Sequence, residues 1–431
     1  MFALALCSAT WSRALAPPQQ EVLTLEKALE IAERVQPTLA LARANVQAAR
    51  GRVDQVGVTN RPQATLSASA AVGSSPVRPC IDDARQSCGG FFDPTMSTGL
   101  GAQASWRIYD FGQTSLAIRA ARLSAEAAEL SVSAELLDVR NSVEIAYLEA
   151  VARQRLIAVA ESTVRSEETH LDQARKFVAA QAKDPIEVVQ AQARAANARS
   201  ALAQAQSAQA IALANLRAAI GWLDASRSPV VAGNWPTPPA NDPVQLGALV
   251  EEARKNRSEI RQFDRQIAAA EASYDAAYAQ RRPVLSAIAS TQWGPNENDW
   301  APEPSWNAGI TLSWQLLDGG RARADQRVAR ANVVSAKAQR DALLVSLTSQ
   351  IELARAQIVA NRANVEASSE AVKAAREQLK LADARYTQGL GSQIELADAQ
   401  TAVTTAEGNL VQAEWQLAEA WAQLRRALGV R

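Results

Sequence analysis

Hydrophobic residues along this chain recur at two different periods. Leu344, Leu347, Ile351, Ala354 and Ile358 follow at steps of three and four, which places them on one face of a helix. Moving back 208 residues gives Leu136, Val139, Val143, Ala146 and Ala150, the same face in an earlier copy. Leu396, Ala399, Val403, Ala406, Leu410, Ala413, Leu417, Ala420 and Leu424 sustain the step, and Val188, Ala191, Ala195, Ala198 and Leu202 begin an equivalent series. A seven-residue repeat held that long predicts helices packed side by side as coiled coils, with alanines letting neighbours approach closely. Residues 113–175 and 322–384 contain neither proline nor glycine. At the usual rise per residue each tract predicts a helix about 90 Å long, more than an ordinary globular core covers.

Four other segments alternate with period two. Trp306, Ala308, Ile310, Leu312, Trp314 and Leu316 interleave with Asn307, Gly309, Thr311, Ser313 and Gln315. Leu100, Ala102, Ala104, Trp106 and Ile108 interleave with Gly101, Gln103, Ser105 and Arg107, and weaker alternation runs through 64–72 and 285–293. The strands expected are about 63–73, 98–109, 284–293 and 305–316, near the length of tilted membrane strands with one apolar and one polar face. Tyr109, Trp293, Trp306 and Trp314 lie where an interfacial aromatic belt is expected, and Gln103 and Arg107 on the polar face would line a lumen. Four strands cannot close a barrel, and lipid satisfies no open backbone edge, so membrane strands here would need strands from further chains. The bland alternative is a half-buried hairpin in water.

An internal duplication organises these elements. LEKALEIAERVQP from Leu25 recurs as LGALVEEARKNRS from Leu246, 221 residues on (246 − 25), and Arg61-Pro62 recurs as Arg282-Pro283 at the same spacing. Trp106-Arg-Ile-Tyr-Asp-Phe-Gly112 recurs as Trp314-Gln-Leu-Leu-Asp-Gly-Gly320 at 208 (314 − 106). That spacing also relates Ile186-Glu-Val-Val-Gln-Ala-Gln192 to Ile394-Glu-Leu-Ala-Asp-Ala-Gln400, and Gly221 to Gly429. The shorter second offset implies a longer loop between the strands of the first copy, which holds Cys80 and Cys88. Residues 17–222 and 244–431 therefore read as two structural repeats, with a proline-rich linker or equatorial region at 223–243.

Composition narrows the class. Aromatic residues make up 5%, glycine is scarce at 19, and 45 basic residues balance 45 acidic ones without a basic block, so a nucleic-acid footprint has no support. No apolar run reaches the length of a spanning helix. The stretch Phe2–Ala9 followed by Ala14-Leu15-Ala16 reads as a signal peptide over 1–16, shortened at its start because no basic residue precedes it. Leu6 makes Leu4-Ala5-Leu6-Cys7 a weak lipoprotein box. Cys80 and Cys88 are a candidate disulfide in an exported chain, because the one histidine, His170, sits far off in a helical tract and reads as solvated. No catalytic residue set, cofactor motif or metal cluster stands out, and an enzyme has no constellation to start from.

With these residues in place the chain resembles the TolC family of outer-membrane efflux and export channels over nearly its whole mature length. The resemblance rests on the duplicated plan, on Trp314–Gly320, and on Arg385-Tyr386-Thr-Gln-Gly389 followed by Ile394–Gln400. It implies a mainly α fold with β: duplicated long-helix coiled coils forming a periplasmic α-barrel, and four membrane strands per chain in a twelve-stranded β-barrel shared by a homotrimer. It further implies an outer-membrane location, a periplasmic adaptor and an inner-membrane pump as partners, and a passive duct for tripartite efflux or type I secretion. The alternatives are a periplasmic adaptor, which would need a split lipoyl-like domain, or a soluble coiled-coil structural protein.

The same resemblance puts the turns near 181–185 and 389–393 at the periplasmic tip. Glu395 and Asp398 match the family's acidic pair, lie on one helix face, and in a trimer would form two stacked acidic rings able to gate ions. Two solvated carboxylates at a helix start are the plainer reading. Tyr386 and Glu187 match positions that tie neighbouring helices shut; the basic partner's position holds Gly391, leaving Arg385 as the candidate substitute. Gly389 and Gly391 are expected at positive φ, Asp184-Pro185 is expected to start a helix, and Ala180 stands where a glycine is usual, with a loop one residue longer.

Overall fold

The computed structural model describes residues 20–73, 95–224, 228–233, 235–236, 239, 245–296 and 299–430. The expected leader at 1–16, Cys7, and the Cys80–Cys88 pairing lie outside these residues. The chain forms two compact units, one made of residues up to 43, 131–258 and 343 onward, the other of 44–130 and 259–342. Each unit holds parts of both sequence copies.

Helices occur in matched pairs. Helix α1 (Leu25–Val35) and α5 (Leu246–Asn256) share bounds at the 221 spacing; α2 spans Pro37–Gly57 and α6 Ser258–Ala279. Helices α3 (Gln113–Ala179) and α7 (Arg321–Thr387) are each 67 residues long and coincide at the 208 spacing (321 − 113). Helices α4 (Ile186–Ile220) and α8 (Gln393–Leu428) return from them. Among the described residues no helix is long and apolar enough to cross a membrane.

In the first unit the returning helices end on glycine for a steric reason. Gly221 and Gly429 adopt φ 87° and 70°. A Cβ on Gly221 would stand 2.9 Å from Gln36 Cα, and one on Gly429 3.2 Å from Arg257 N. Gln36 and Arg257 are the extended breaks after α1 and α5, and they fill the space with hydrogen bonds: Gln36 Nε2 donates to the Ala219 carbonyl at 2.9 Å, Arg257 Nη1 to that of Arg426 at 2.6 Å. Gln36 precedes Pro37, which excludes the helical conformation there. Around this end packs a core with Leu23, Leu39, Val143, Tyr147, Val151, Leu216 and Ile220 buried. A short parallel pair, β1 (Gln20–Leu23) with β4 (Ser228–Val231), ties the N-terminal segment to the proline-rich one.

The second unit carries an antiparallel sheet of four strands in the order β2 (Gln63–Gly73), β3 (Thr95–Tyr109), β5 (Val284–Asn296), β6 (Asp299–Ser313). The β3–β5 pairing joins the two copies in the middle of the sheet, leaving β2 and β6 as its edges. The last strand ends at Ser313 rather than near 316 as its alternation suggested. Its partner β5 starts at Val284, immediately after Pro283, and proline has no N–H to extend the ladder.

Candidate functional site

Register determines what each face of the sheet presents. Leu66, Ala102, Thr291 and Trp306 form one rung across all four strands; Ala64, Ala104, Ala289 and Ala308 form the next on the same side. Continuing in steps of two adds Trp106, Ala287 and Ile310 one way, and Leu100, Trp293 and Pro304 the other. The opposite face carries Thr65, Gln103, Ser290 and Asn307, flanked by Ser67, Gly101, Gln292 and Ser305. Side chains of a strand alternate between faces, so one face is apolar and aromatic and the other is polar. Every residue of β2 is exposed, and Trp306 stands 81% exposed. Among the described residues no protein partner covers this apolar face.

The aromatic residues fall at two heights on that apolar face. Trp106 and Tyr109 lie at the helix-side end, with Trp314 just beyond β6, whereas Trp293 and Trp306 lie several rungs away. Trp106 was not among the expected belt residues, yet it is placed as Trp314 is. Its indole N–H donates to the Asn60 carbonyl at 3.1 Å, and that of Trp314 to the Arg281 carbonyl at 3.1 Å. Asn60 and Arg281 are themselves 221 apart (281 − 60). Each tryptophan thus fastens the end of a strand to the turn that feeds the neighbouring strand.

Sheet gives way to long helix through the same device in both copies. Asp110 accepts from the Gly112 and Thr114 N–H groups at 3.1 and 2.9 Å, and Asp318 from those of Gly320 and Ala322 at 2.9 Å each. The intervening residues must turn left-handed: Phe111 and Gly112 have φ 51° and 94°, Gly319 and Gly320 62° and 90°. Burial pushes the Asp110 carboxyl up, but hydrogen bonds from Thr114 and Gly112 and the Arg107 charge outweigh it and hold it below the ordinary value. The Ala322 and Gly320 N–H groups lower that of Asp318 as well.

The two interhelical turns lie together in the first unit. Tyr386, 1% exposed, donates its hydroxyl to Glu187 Oε2 at 2.9 Å and meets Phe177 edge-on, with centroids 5.7 Å apart. Burial, then the hydrogen bond to Glu187 and the charge of that carboxylate, push the phenol up to about 12. Gln393 Nε2 donates to the Glu187 carbonyl at 2.8 Å. The cation at this junction is Lys183, which sequence reasoning passed over. Its Nζ lies 3.6 Å from Glu187 Oε1, 5.0 Å from the Tyr386 ring centroid and 3.4 Å from the Gly391 carbonyl oxygen. Its place four residues before Glu187 was the available signal.

Other expectations for the tip need correction. Arg385 does not join Tyr386 and Glu187; its Nε pairs with Glu395 Oε1 at 3.2 Å. Asp398 is exposed and has no ion-pair partner among the described residues. Gly389 has φ 74°, but Gly391 is not left-handed. What favours glycine at 391 is proximity, because a Cβ there would come within 3.1 Å of Arg385 Cβ and the Tyr386 nitrogen and press them aside. In the first turn Gln181, not Ala180, is left-handed, at φ 56°. Gln181 is the counterpart of Gly389 (389 − 181 = 208), and the first turn is one residue longer, 180–185 against 388–392, because α8 begins one position earlier, where Ser392 Oγ accepts from Glu395 N. Asp184 Oδ1 accepts from Ile186 N at 2.9 Å, and Pro185 has helical dihedrals directly before α4. His170 is half-buried rather than solvated, with Nε2 3.2 Å from Ser166 Oγ and Nδ1 3.3 Å from Gln173 Oε1.

Hairpins of long helices, joined in sequence to strands with a lipid-compatible face, define an outer-membrane channel protomer. The profile of the outer membrane efflux protein family matches residues 28–222 and 249–430, and the chain belongs to that family. It is 29% identical over 392 residues to Protein CyaE of Bordetella pertussis, covering 89% of this chain and 80% of that protein. It is 25% identical over 344 residues to the pyoverdine export outer membrane protein OpmQ of Pseudomonas aeruginosa, covering 78% of this chain and 71% of that one. The CmeC outer membrane channel of Campylobacter jejuni shares the fold at a TM-score of 0.77 and 15% identity, over 99% of this chain and 94% of that one. The protein is therefore an outer-membrane exit duct of efflux or secretion machinery, with its helices in the periplasm. Its family comprises transport channels rather than enzymes.

Proposed function

We propose that three copies of this chain assemble one passive pore, closing their sheets into a twelve-stranded barrel, and that a periplasmic adaptor couples it to an inner-membrane pump. The observation that carries this is the open sheet. Its apolar face is uncovered and, among the described residues, β2 and β6 have no strand on their outer edges. Lipid offers nothing to unpaired backbone groups, so β6 of one copy must meet β2 of the next. Tyr109 and Trp314 then mark the periplasmic interface and Trp293 and Trp306 sit toward the other, each with an amphipathic ring suited to the headgroup level.

At the opposite end of the helices the paired turns form the entrance. Glu395 and Asp398 supply its acidic rings, with Asp398 the less compensated because Arg385 pairs with Glu395. Glu187 and Tyr386 hold the two hairpins together, while Asp184, Pro185, Gly389 and Gly391 shape the turns that an adaptor's helical ends meet. Purified protein in mild detergent should be trimeric and should conduct in planar bilayers. Replacing Glu395 and Asp398 with alanine should reduce cation-over-anion selectivity, read as a shift in reversal potential under a salt gradient. A monomeric, non-conducting protein would defeat the duct; an unchanged reversal potential would remove the acidic rings.

A further inference from the structure

We infer that Arg107 makes the barrel itself selective for anions, so that the duct favours solutes carrying carboxylate or phosphate groups, an inference that rests on reading three sheets as one closed barrel. With the apolar face toward lipid, the polar face lines the lumen. Arg107 belongs to that polar face, level with Ser286 and Thr311. The three rungs beyond it, as far as Ser67, Gly101, Gln292 and Ser305, carry only uncharged residues. The register shifts between Arg107 and Tyr109, and the shift returns Tyr109 to the apolar face beside Leu285. The arginine is therefore the last residue of β3 on the lumen wall, and its side chain is 35% exposed.

The helix start behind it does not require a cation at this place on the wall. Asp110 already accepts from the Gly112 and Thr114 N–H groups at 3.1 and 2.9 Å, and Arg107 Nη1 stays 3.9 Å from its Oδ2. Asp318 makes the same two bonds at 2.9 Å each, with Gln315 in the arginine's position (315 − 107 = 208). The arginine charge that acts on Asp318 belongs to Arg281, in the turn before β5 and off the strand. The Asp110 side chain is 6% exposed, so its charge is turned to the helix start while the guanidinium meets the lumen. Twelve strands about 4.8 Å apart and tilted about 40° close at a backbone radius of about 12 Å, and extended side chains bring three guanidinium groups to about 8 Å from the axis. That is within one screening length at about 0.1 M salt and beyond it at about 1 M. Three such charges enrich a monovalent anion about threefold on the axis at the lower salt. Rings of basic side chains select anions in pores in this way.

The test measures reversal potentials of the reconstituted full-length protein under a KCl gradient, at mean concentrations of about 0.1 M and about 1 M. R107Q, R107K and Q315R are each compared with wild type, and each is repeated with E395A and D398A so that the mouth's own preference is separated from the barrel's. R107Q should lower the chloride-to-potassium permeability ratio about threefold at the lower salt and hardly at all at the higher. R107K should rescue the ratio, because lysine keeps the charge and changes the shape. Q315R adds a second cation at the equivalent position and should raise the ratio. Glutamate in place of chloride should follow the same order, its carboxylate being drawn as chloride is. An R107Q ratio equal to wild type at low salt, a fall that persists at high salt, or R107K as low as R107Q overturns the anion ring while the duct stands. Should R107Q yield no trimers, Q315R decides: a raised ratio upholds the ring and an unchanged one refutes it. Wild type that forms no conducting trimer defeats the duct, and the ring with it.

Discussion

At the residue scale, duplication exposes positions where the two copies solve one problem with different side chains. The left-handed site of the interhelical turn is Gly389 in one copy and Gln181 in the other, and the left-handed site before the long helix is Gly319 in one and Phe111 in the other. A side chain in that conformation costs about 1–2 kcal/mol. Gln181 is exposed. Gln181→Gly should therefore relieve strain and raise stability by up to about 1 kcal/mol, after the entropy glycine adds to the unfolded chain. A denaturant midpoint equal to or below wild type would show that the backbone there is unstrained. The sequence offset alone carried this correspondence, since 181 maps onto 389 by the spacing that relates Ile186 to Ile394. Comparing Ala180 with the glycine missed it by one position.

At the element scale, the long helices and the alternation of the strands were legible because hydrophobic period determines both. Element ends were harder to read, being governed by hydrogen bonds and close contacts that leave little trace in composition. Ser313, where β6 stops, is an example: alternation continues through Trp314 and Leu316, but the partner strand has already ended at a proline. Lys183 was obscured similarly, because nothing in the sequence brings residue 183 against 386. The aspartates that start α3 and α7 form another end-of-element device, with a pH signature. Both carboxyls lie below the ordinary value of 3.8 in the folded chain. A depressed carboxylate contributes fully above its unfolded value, and the contribution is lost as pH falls through the folded one. Asp110→Ala should cost about 1 kcal/mol at neutral pH, as lost caps do. The cost should shrink below pH 3.8, so thermal melts of wild type and variant should converge in acid. A pH-independent gap would assign the loss to packing.

At the scale of the whole molecule, the family and the long-helix plan followed from the sequence, while the sheet's exposed edges needed a register to define. Strand β6 bonds to β5 on one side and, in the proposed assembly, to β2 of a neighbouring copy on the other. Asn307→Pro would remove one of those bonds and wedge a ring into the ladder. The proportion of detergent-resistant trimer should fall severalfold while the helical circular dichroism signal persists. Full retention of trimers would mean that assembly is carried by the helices.

Contacts inside each hairpin differ in kind from those between hairpins. Within them small apolar groups meet, Leu171, Ala174, Ala191 and Ala195 in one and Val372, Ala375, Val403 and Ala406 in the other. Leu148 of α3 packs on Ala418 and Ala422 of α8, and the hydrogen-bonded partners between these helices are Thr163 with Thr404 at 2.9 Å, Ser166 with Gln400 at 2.7 Å, and Arg155 with Glu414 at 2.8 Å. Water can take the place of every one of these partners at little net cost. Separating α3 from α8 would therefore wet hydroxyls, amides and charges cheaply along 155–166, whereas parting Leu148 from Ala418 and Ala422, or Phe177 from Tyr386, would uncover apolar surface and resist it.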